Sequence, residues 1–509
     1  GNKRSNVAML RLQWGRAIST NSLRAGCSSI VRAATATRSL RSLSWPSPSE
    51  LARVRLPTLH TDFADLANIH GPVFGLPLGD LKAFVVGDAG LAEHILAPRR
   101  AGRAFGYRWE DTQHLPFARW GQLLGASESA SETAGVFFGN GPQHWAPPRR
   151  ACERGLLHGR AVREAGEEAA AAAAASLTAK WADGGGGCVD MHLDIREATL
   201  EVISAVAFGG TEALDSDTSA ELREIYGVMT CTLEELAGSP ADWWWVLRPG
   251  GARRLGVAAE RLRALLLPTL RQRRERRPAG ARRCVIDLLL DTELSEGAVL
   301  HNTLQVLGAG HDTAATSLAM LLWHLSQDPA LQEAVRQEVW AADAARAKVS
   351  EPADSDARAE EGLPLLSSCV RETLRLWPAA PLIVRQALEE APPWEGLEIP
   401  TGSVAVVAPW LLGRSALLWG EDAGTFRPER FLEEKEREPV HPFAWVPFGY
   451  GLRSCVGRHL AVAELKAFTA ALLRKLRFSA VETAPAPTPE WFLTLRLRSG
   501  LQLQVELVE

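Results

Sequence analysis

The segment Phe448–Leu465 reads FGYGLRSCVGRHLAVAEL, and its one cysteine decides the fold. Cys455 stands between Gly451 and Gly457, with Arg453 two residues ahead and a helical pattern directly behind. A thiolate just ahead of a helix N-terminus meets the positive end of the aligned peptide dipoles, which lowers its pKa and suits it to a metal. The glycines let the backbone turn sharply and approach something large and flat. Phe448 is placed to lie against that object, and Arg453 to pair with a carboxylate on it. A lone cysteine is most often an inert buried residue. Phe, Gly, Arg, Cys and Gly at these offsets are far more specific, and they point to a haem whose iron is held by Cys455.

A second stretch belongs with the first. Ser295 is a plausible N-cap for a long apolar helix running to about Gln327, where Asp328-Pro329 closes it. In its middle lies Ala309-Gly310-His311-Asp312-Thr313. Burying an acid and a hydroxyl costs free energy without partners, and Gly310 weakens a helix by about 1 kcal/mol relative to Ala. Three unfavourable choices together mark a site. Activating dioxygen consumes protons, which Thr313 can hand over and Asp312 can relay through water. The missing side chain of Gly310 is expected to leave room for dioxygen. His311 is read as facing away from the haem, with a second proton carrier as the alternative.

Composition narrows the class. Seven scattered cysteines without CxxC pairs form neither a disulfide framework nor a zinc site. Before Glu50 there is no acidic residue, while Lys3, Arg4, Arg11, Arg16, Arg24, Arg32, Arg38 and Arg41 are all cationic. With a whole-chain charge of −4, these eight cations leave the remainder at −12, which argues against nucleic-acid binding by the folded part. Residues 1–45, rich in Arg, Ser and Ala, have the composition of a mitochondrial transit peptide; a basic disordered tail is the alternative. No run of 18 or more apolar residues occurs, so no membrane span is expected.

The motif F-x-x-G-x-R-x-C-x-G is met at every fixed position, and the segment resembles the cysteine-ligand loop of the cytochrome P450 superfamily. That resemblance implies a mainly α protein, one large domain over residues 46–509. It would be a helical bundle around a buried haem b with a small β-rich region. The family's A/G-G-x-D/E-T pattern matches at Ala309, Gly310, Asp312 and Thr313. Its W-x-x-x-R pattern matches Trp145 and Arg149, implying contact with a haem propionate. Pro147 and Pro148 between them are tolerable only in a first helical turn. Arg385 matches a strand arginine that reaches a propionate, beside Leu382, Ile383 and Val384, expected to line the substrate cavity. Glu372 and Arg375 match E-x-x-R, and Arg430 in FRPERF the third member of an ion network behind the Cys455 loop.

Phrases such as NGPQHW, LPLLSSCVRETLRLWP, LLGRS and CVGRHLAVAEL look most like the mitochondrial steroid hydroxylases, the 11β-hydroxylase and aldosterone synthase group. The implied protein lies on the matrix side of the mitochondrial inner membrane and takes electrons from a [2Fe-2S] ferredoxin with its reductase. It would dock the ferredoxin through Arg371 and Arg458, with Lys466, Arg474 and Lys475 extending the basic patch. The stretch 221–250 reads as irregular. Its Trp243, Trp244 and Trp245 suit a peripheral membrane contact, beside the alternative of core packing. Cholesterol side-chain cleavage or another sterol hydroxylation is the nearest alternative. A haem-binding sensor or carrier, or a haem-thiolate isomerase, could dispense with Asp312 and Thr313.

Overall fold

Long helices form where the sequence supplies N-caps, glycine stops and sustained apolar faces. The computed structural model describes residues 38–55, 57–78, 81–97, 104–106, 135–138, 145–183, 187–210, 216–237, 249–275, 283–347, 362–432, 440–491, 494–497 and 499–508. Its principal helices are α1 (Leu59–His70), α2 (Ala89–Leu96), α3 (Ala146–Cys152), α4 (Arg160–Asp183), α5 (Met191–Phe208) and α6 (Ser216–Ala237). They continue with α7 (Pro249–Glu275), α8 (Glu296–Gln327), α9 (Pro329–Ala347), α10 (Pro364–Leu376) and α11 (Arg458–Leu473).

Ser295 caps α8, its Oγ accepting from the Ala298 N–H at 3.2 Å, and Asp328 ends it as expected. The helix is buried on nearly every side, which marks it as the centre of the core. α5 packs along α8, α4 packs on α5 and α11, and α11 also rests on α8. The alanine run of α4 puts Ala169, Ala170, Ala173 and Ala174 into this core. Small side chains there let the helix axes come close. Gly209, at φ 95°, ends α5 in the left-handed conformation that glycine adopts without strain.

The strands are β1 (Arg38–Ser39), β2 (Val73–Leu78), β3 (Leu81–Val86), β4 (Phe105–Gly106), β5 (Gly187–Asp190) and β6 (Ile383–Ala387). After them come β7 (Leu397–Glu398), β8 (Val404–Val407), β9 (Leu476–Ala480), β10 (Glu490–Trp491), β11 (Leu495–Arg496) and β12 (Gln502–Leu507). A five-stranded sheet runs β2-β3-β8-β6-β4, and a three-stranded one β5-β12-β9. The predicted pair β2–β3 is antiparallel, with Val73 opposite Val86. β6 lies antiparallel to β8, which is parallel to β3. The fold is therefore mainly α with a small β part, as expected.

Two expectations change. The irregular stretch at 221–250 contains most of α6: Leu222, Ile225 and Tyr226 are buried at helical spacing. Polar neighbours hid that period, because Glu221 and Glu224 turn outward to share Arg261 of α7. Trp243–Trp245 lie outside the described residues. The folded part also reaches back to residue 38, inside the stretch assigned to the leading segment. Arg38 pairs with Leu397, Leu40 is buried, and the Trp45 ring covers Gly75 so closely that a Cβ there would not fit. A chain beginning at residue 46 should therefore unfold at lower urea than one beginning at residue 38. The expected loss is about 2 kcal/mol, close to one buried Leu side chain. Equal midpoints by tryptophan fluorescence would show the ribbon to be dispensable.

Candidate active site

The Cys455 loop is closed by its own backbone. The Cys455 N–H donates to the Phe448 carbonyl at 2.8 Å, and the Ser454 N–H to Gly451 at 3.0 Å. Gly449 and Gly451 hold φ of 63° and 73°, which explains two of the glycines. Gly457 is different: it is the N-cap of α11 with φ −92°, and a Cβ there would meet the Cys455 Sγ at 3.9 Å. Cys455 thus precedes a helix N-terminus, as read. Its thiol is nevertheless pushed up by burial, which outweighs the Gly457 N–H and the charges of Arg149 and Arg458. The expected lowering does not prevail in the protein alone; coordination to iron deprotonates a thiol directly.

Trp145, Arg149 and Arg453 converge on this loop. Arg149 Nη1 donates to the Ser454 carbonyl at 2.8 Å, and its Nε to Glu153 at 2.6 Å. The Arg453 guanidinium lies 4.0 Å from the Trp145 ring centre. The Trp145 indole N–H donates to the Val136 carbonyl at 3.0 Å, so this donor is engaged within the protein. Pro147 and Pro148 do fall in the first turn of α3. Arg385 is buried on β6, whose Ile383 packs at the loop: a Cβ on Gly449 would sit 3.7 Å from Ile383 Cδ1. Of the expected cavity wall, Leu382 and Ile383 belong to two separate hydrophobic clusters, because alternate strand residues face opposite sides. Val384 alone of the three is open, at 41% exposure.

Midway along its length, α8 is buried on both sides of a short opening. Gly308, Ala309, Gly310 and Thr313 are partly accessible, while Leu307, His311, Asp312 and Ala314 are buried. Thr313 Oγ1 donates to the Ala309 carbonyl at 2.7 Å, keeping its hydroxyl at this notch. Gly310 serves another purpose than expected. A Cβ there would approach Ile203 of α5 to 2.5 Å, so glycine is needed for helix packing rather than to make room for dioxygen.

Asp312 is the centre of a buried ion cluster. Arg496 of β11 binds its Oδ2, Arg196 of α5 lies 3.1 Å from Oδ1, and His311 Nε2 is also at 3.1 Å. Burial alone would raise the carboxyl pKa, but His311, Arg496 and Arg196 hold it well below the usual carboxylate range. His311 is buried edge-on to Tyr226 at 5.6 Å, with its Nε2 against the Asp312 carboxylate. Arg196 and Arg496 escaped the sequence reading because nothing local marks them; Arg496 is 184 residues from Asp312.

The scaffold behind the loop is built as expected. Glu372 accepts two bonds from Arg375, at 2.7 and 2.8 Å, and one from the Arg427 N–H at 2.8 Å. Arg430 Nε stands 3.4 Å from the same carboxylate. The docking residues fare differently. Arg371 is half-buried and stacks on Phe431 at 4.2 Å and Trp445 at 5.6 Å. Lys466 is buried among the helices, so it extends no surface patch. Arg474 is bound to Asp343 at the far end of α11, roughly 24 Å from its start at 1.5 Å per residue. Arg458 remains exposed beside the loop.

These features suit a flat prosthetic group with one protein sulfur ligand. Cys455 is accessible, so its sulfur is open to a ligand. Among the described residues no cluster of three His, Cys, Asp or Glu could hold a metal by itself. The family model for cytochrome P450 matches residues 50–505, and the chain belongs to that family. It is accordingly a haem-thiolate monooxygenase, an oxidoreductase whose haem iron is held by a cysteine. It is 27% identical over 441 residues to ferruginol synthase of Salvia pomifera, covering 81% of this chain and 90% of that protein. With human cytochrome P450 4F2 it shares 30% over 355 residues, 65% of this chain and 66% of that one. The cytochrome P450DA heme domain superposes with a TM-score of 0.74 at 20% identity, over 93% of this chain and 98% of that chain. These relatives do not carry the finer likeness to mitochondrial steroid hydroxylases.

Two outcomes test the site's frame. Gly310→Ala should cost about 1–3 kcal/mol through overpacking, offset by about 1 kcal/mol of helix propensity. In an Ile203→Ala background the same change should stabilise, read by urea unfolding. Glu372→Ala should cost about 3–5 kcal/mol by leaving buried guanidinium groups without their anion, and haem content per chain should fall with it.

Proposed function

We propose that this monooxygenase hydroxylates an unactivated C–H bond of a steroid, in the manner of an 11β-hydroxylase. In this reading it works on the matrix side of the mitochondrial inner membrane, with electrons from a [2Fe-2S] ferredoxin and its reductase. The observation that carries the chemistry is the Thr313 hydroxyl at an opening midway along α8, with α8 packed on α11. Bound haem would supply the binding and reductive activation of dioxygen. Cys455 Sγ would hold it, Arg149 braces the Cys455 loop from the Ser454 carbonyl, and Arg453 and Arg385 stand near for its carboxylates. Thr313 Oγ1 hands a proton into the notch. Asp312 is held ionised by His311, Arg496 and Arg196, so its part is to orient the water through which protons reach Thr313, not to store one.

The substrate class rests on the sequence phrases shared with steroid hydroxylases and on the apolar, open Val384. The basic, acid-free leading segment supports the compartment. Exposed Arg458, close enough to influence the Cys455 thiol, supports an acidic donor on that side. A substrate outside the steroids is favoured by other relatives, which are named for ferruginol and for 3,9-dihydroxypterocarpan. Incubation with 11-deoxysteroids, ferredoxin and reductase should yield products heavier by one oxygen atom. Absence of such a product, with turnover of another class, would overturn the steroid reading. Thr313→Ala should lower the ratio of product to reducing equivalents consumed; an unchanged ratio would remove Thr313 from proton delivery.

A further inference from the structure

The geometry points to Arg496 as a positioning residue for proton delivery: from the β10–β11 hairpin it fixes the Asp312 carboxylate beside the α8 notch. This inference rests on the reading of Asp312 and Thr313 as the proton-delivering pair. Of the three groups on the carboxylate, His311 belongs to α8 itself, and Arg196 comes from α5, packed along α8. Arg496 alone comes from a β-ribbon, where it pairs with Glu490 in register.

That ribbon is tied on three sides. Thr316 of α8, one turn beyond Asp312, donates to the Leu495 carbonyl at 2.8 Å. The Leu495 N–H donates to the Ala379 carbonyl at 2.8 Å, a few residues before Val384, and the Trp491 N–H to Pro57 at 2.7 Å. One strand therefore links the turn of α8 that bears Asp312 to the segment bearing the exposed Val384. Asp312 and Arg496 are little exposed, at 9% and 15%, so their charges are weakly screened. A shift of this strand is felt directly at the carboxylate, whose distance from Thr313 then changes.

The test is a double-mutant cycle on the haem-loaded protein with Arg496→Gln, Arg496→Lys, Asp312→Asn and the Arg496→Gln/Asp312→Asn pair. One readout is the urea midpoint, which requires no substrate. The other is product per reducing equivalent with an 11-deoxysteroid probe, or with whichever class proves to be turned over. Arg496→Gln should lower that ratio roughly tenfold, since a misplaced proton-transfer group loses much of its contribution. KM should stay nearly constant, and Lys should restore part of the ratio. In the Asp312→Asn background Arg496→Gln should add little to either readout. Equal effects of Arg496→Gln in both backgrounds would overturn the inference, because Arg496 would then act through packing. If Asp312→Asn leaves the ratio intact while the midpoints remain non-additive, the delivery reading of Asp312 fails, and the positioning role with it. That pattern leaves only a structural ion pair and differs from failure of the inference alone.

Discussion

The Glu372 carboxylate is the fixed point on which the thiolate side of the molecule is assembled. It is fully buried and accepts hydrogen bonds from both sides of the Arg375 fork and from the Arg427 backbone. Arg375 in turn donates to the carbonyls of Gly413, Ala423 and Thr425, and Arg430 to those of Trp419 and Asp422. A segment with little regular structure thereby has its carbonyls satisfied by two guanidinium groups, which share an anion that water cannot reach. Such an arrangement tolerates no partial loss, since any missing partner leaves a buried charge. From there the order passes to Cys455. Trp445 donates to the Arg371 carbonyl and packs edge-on to Phe448, whose carbonyl receives the Cys455 N–H.

The second buried charge cluster is built to a different standard. Asp312 also draws two arginines, but only its Oδ2 takes a hydrogen bond, from Arg496, while Oδ1 makes ion contacts at 3.1 Å without hydrogen-bond geometry. Where Glu372 has both oxygens hydrogen-bonded, Asp312 has Oδ2 fixed by Arg496 and Oδ1 held by charge alone. Rigidity suits the ligand loop, which must present one sulfur in one place. An oxygen left without a donor suits a group that orients water beside Thr313. The contrast is one of hydrogen-bond completeness, since both carboxylates are buried.

Much of this was legible in the chain. The Phe448–Leu465 motif, the capped helix from Ser295 and the Glu372–Arg375–Arg430 set were readable because their chemistry is encoded at short, fixed spacings. So were the β2–β3 pair and the end of α5 at Gly209. The failures share a cause. Gly310 looked like space for a ligand, but whether a missing Cβ faces a cavity or Ile203 depends on the neighbouring helix. Arg371 and Lys466 looked like surface cations, and only packing shows one stacked on aromatic rings and the other buried. The helix over Ser216–Ala237 was obscured by polar residues that pair across to Arg261. The thiol of Cys455 was expected to fall with the helix dipole, yet desolvation by the surrounding core is the larger influence.

The sequence by itself determined the ligand, the oxygen-side helix and the family, because each is written as residues a few positions apart whose side chains must meet. Tertiary structure alone decided who surrounds Asp312. Arg196 and Arg496 lie far from it along the chain, and no local spacing can announce a contact created by the closure of distant elements. It also settled the surroundings of Cys455. The same sulfur that the motif identifies is desolvated by a core and approached by Arg149, about 300 residues away in sequence, only once α3 has folded against the Cys455 loop.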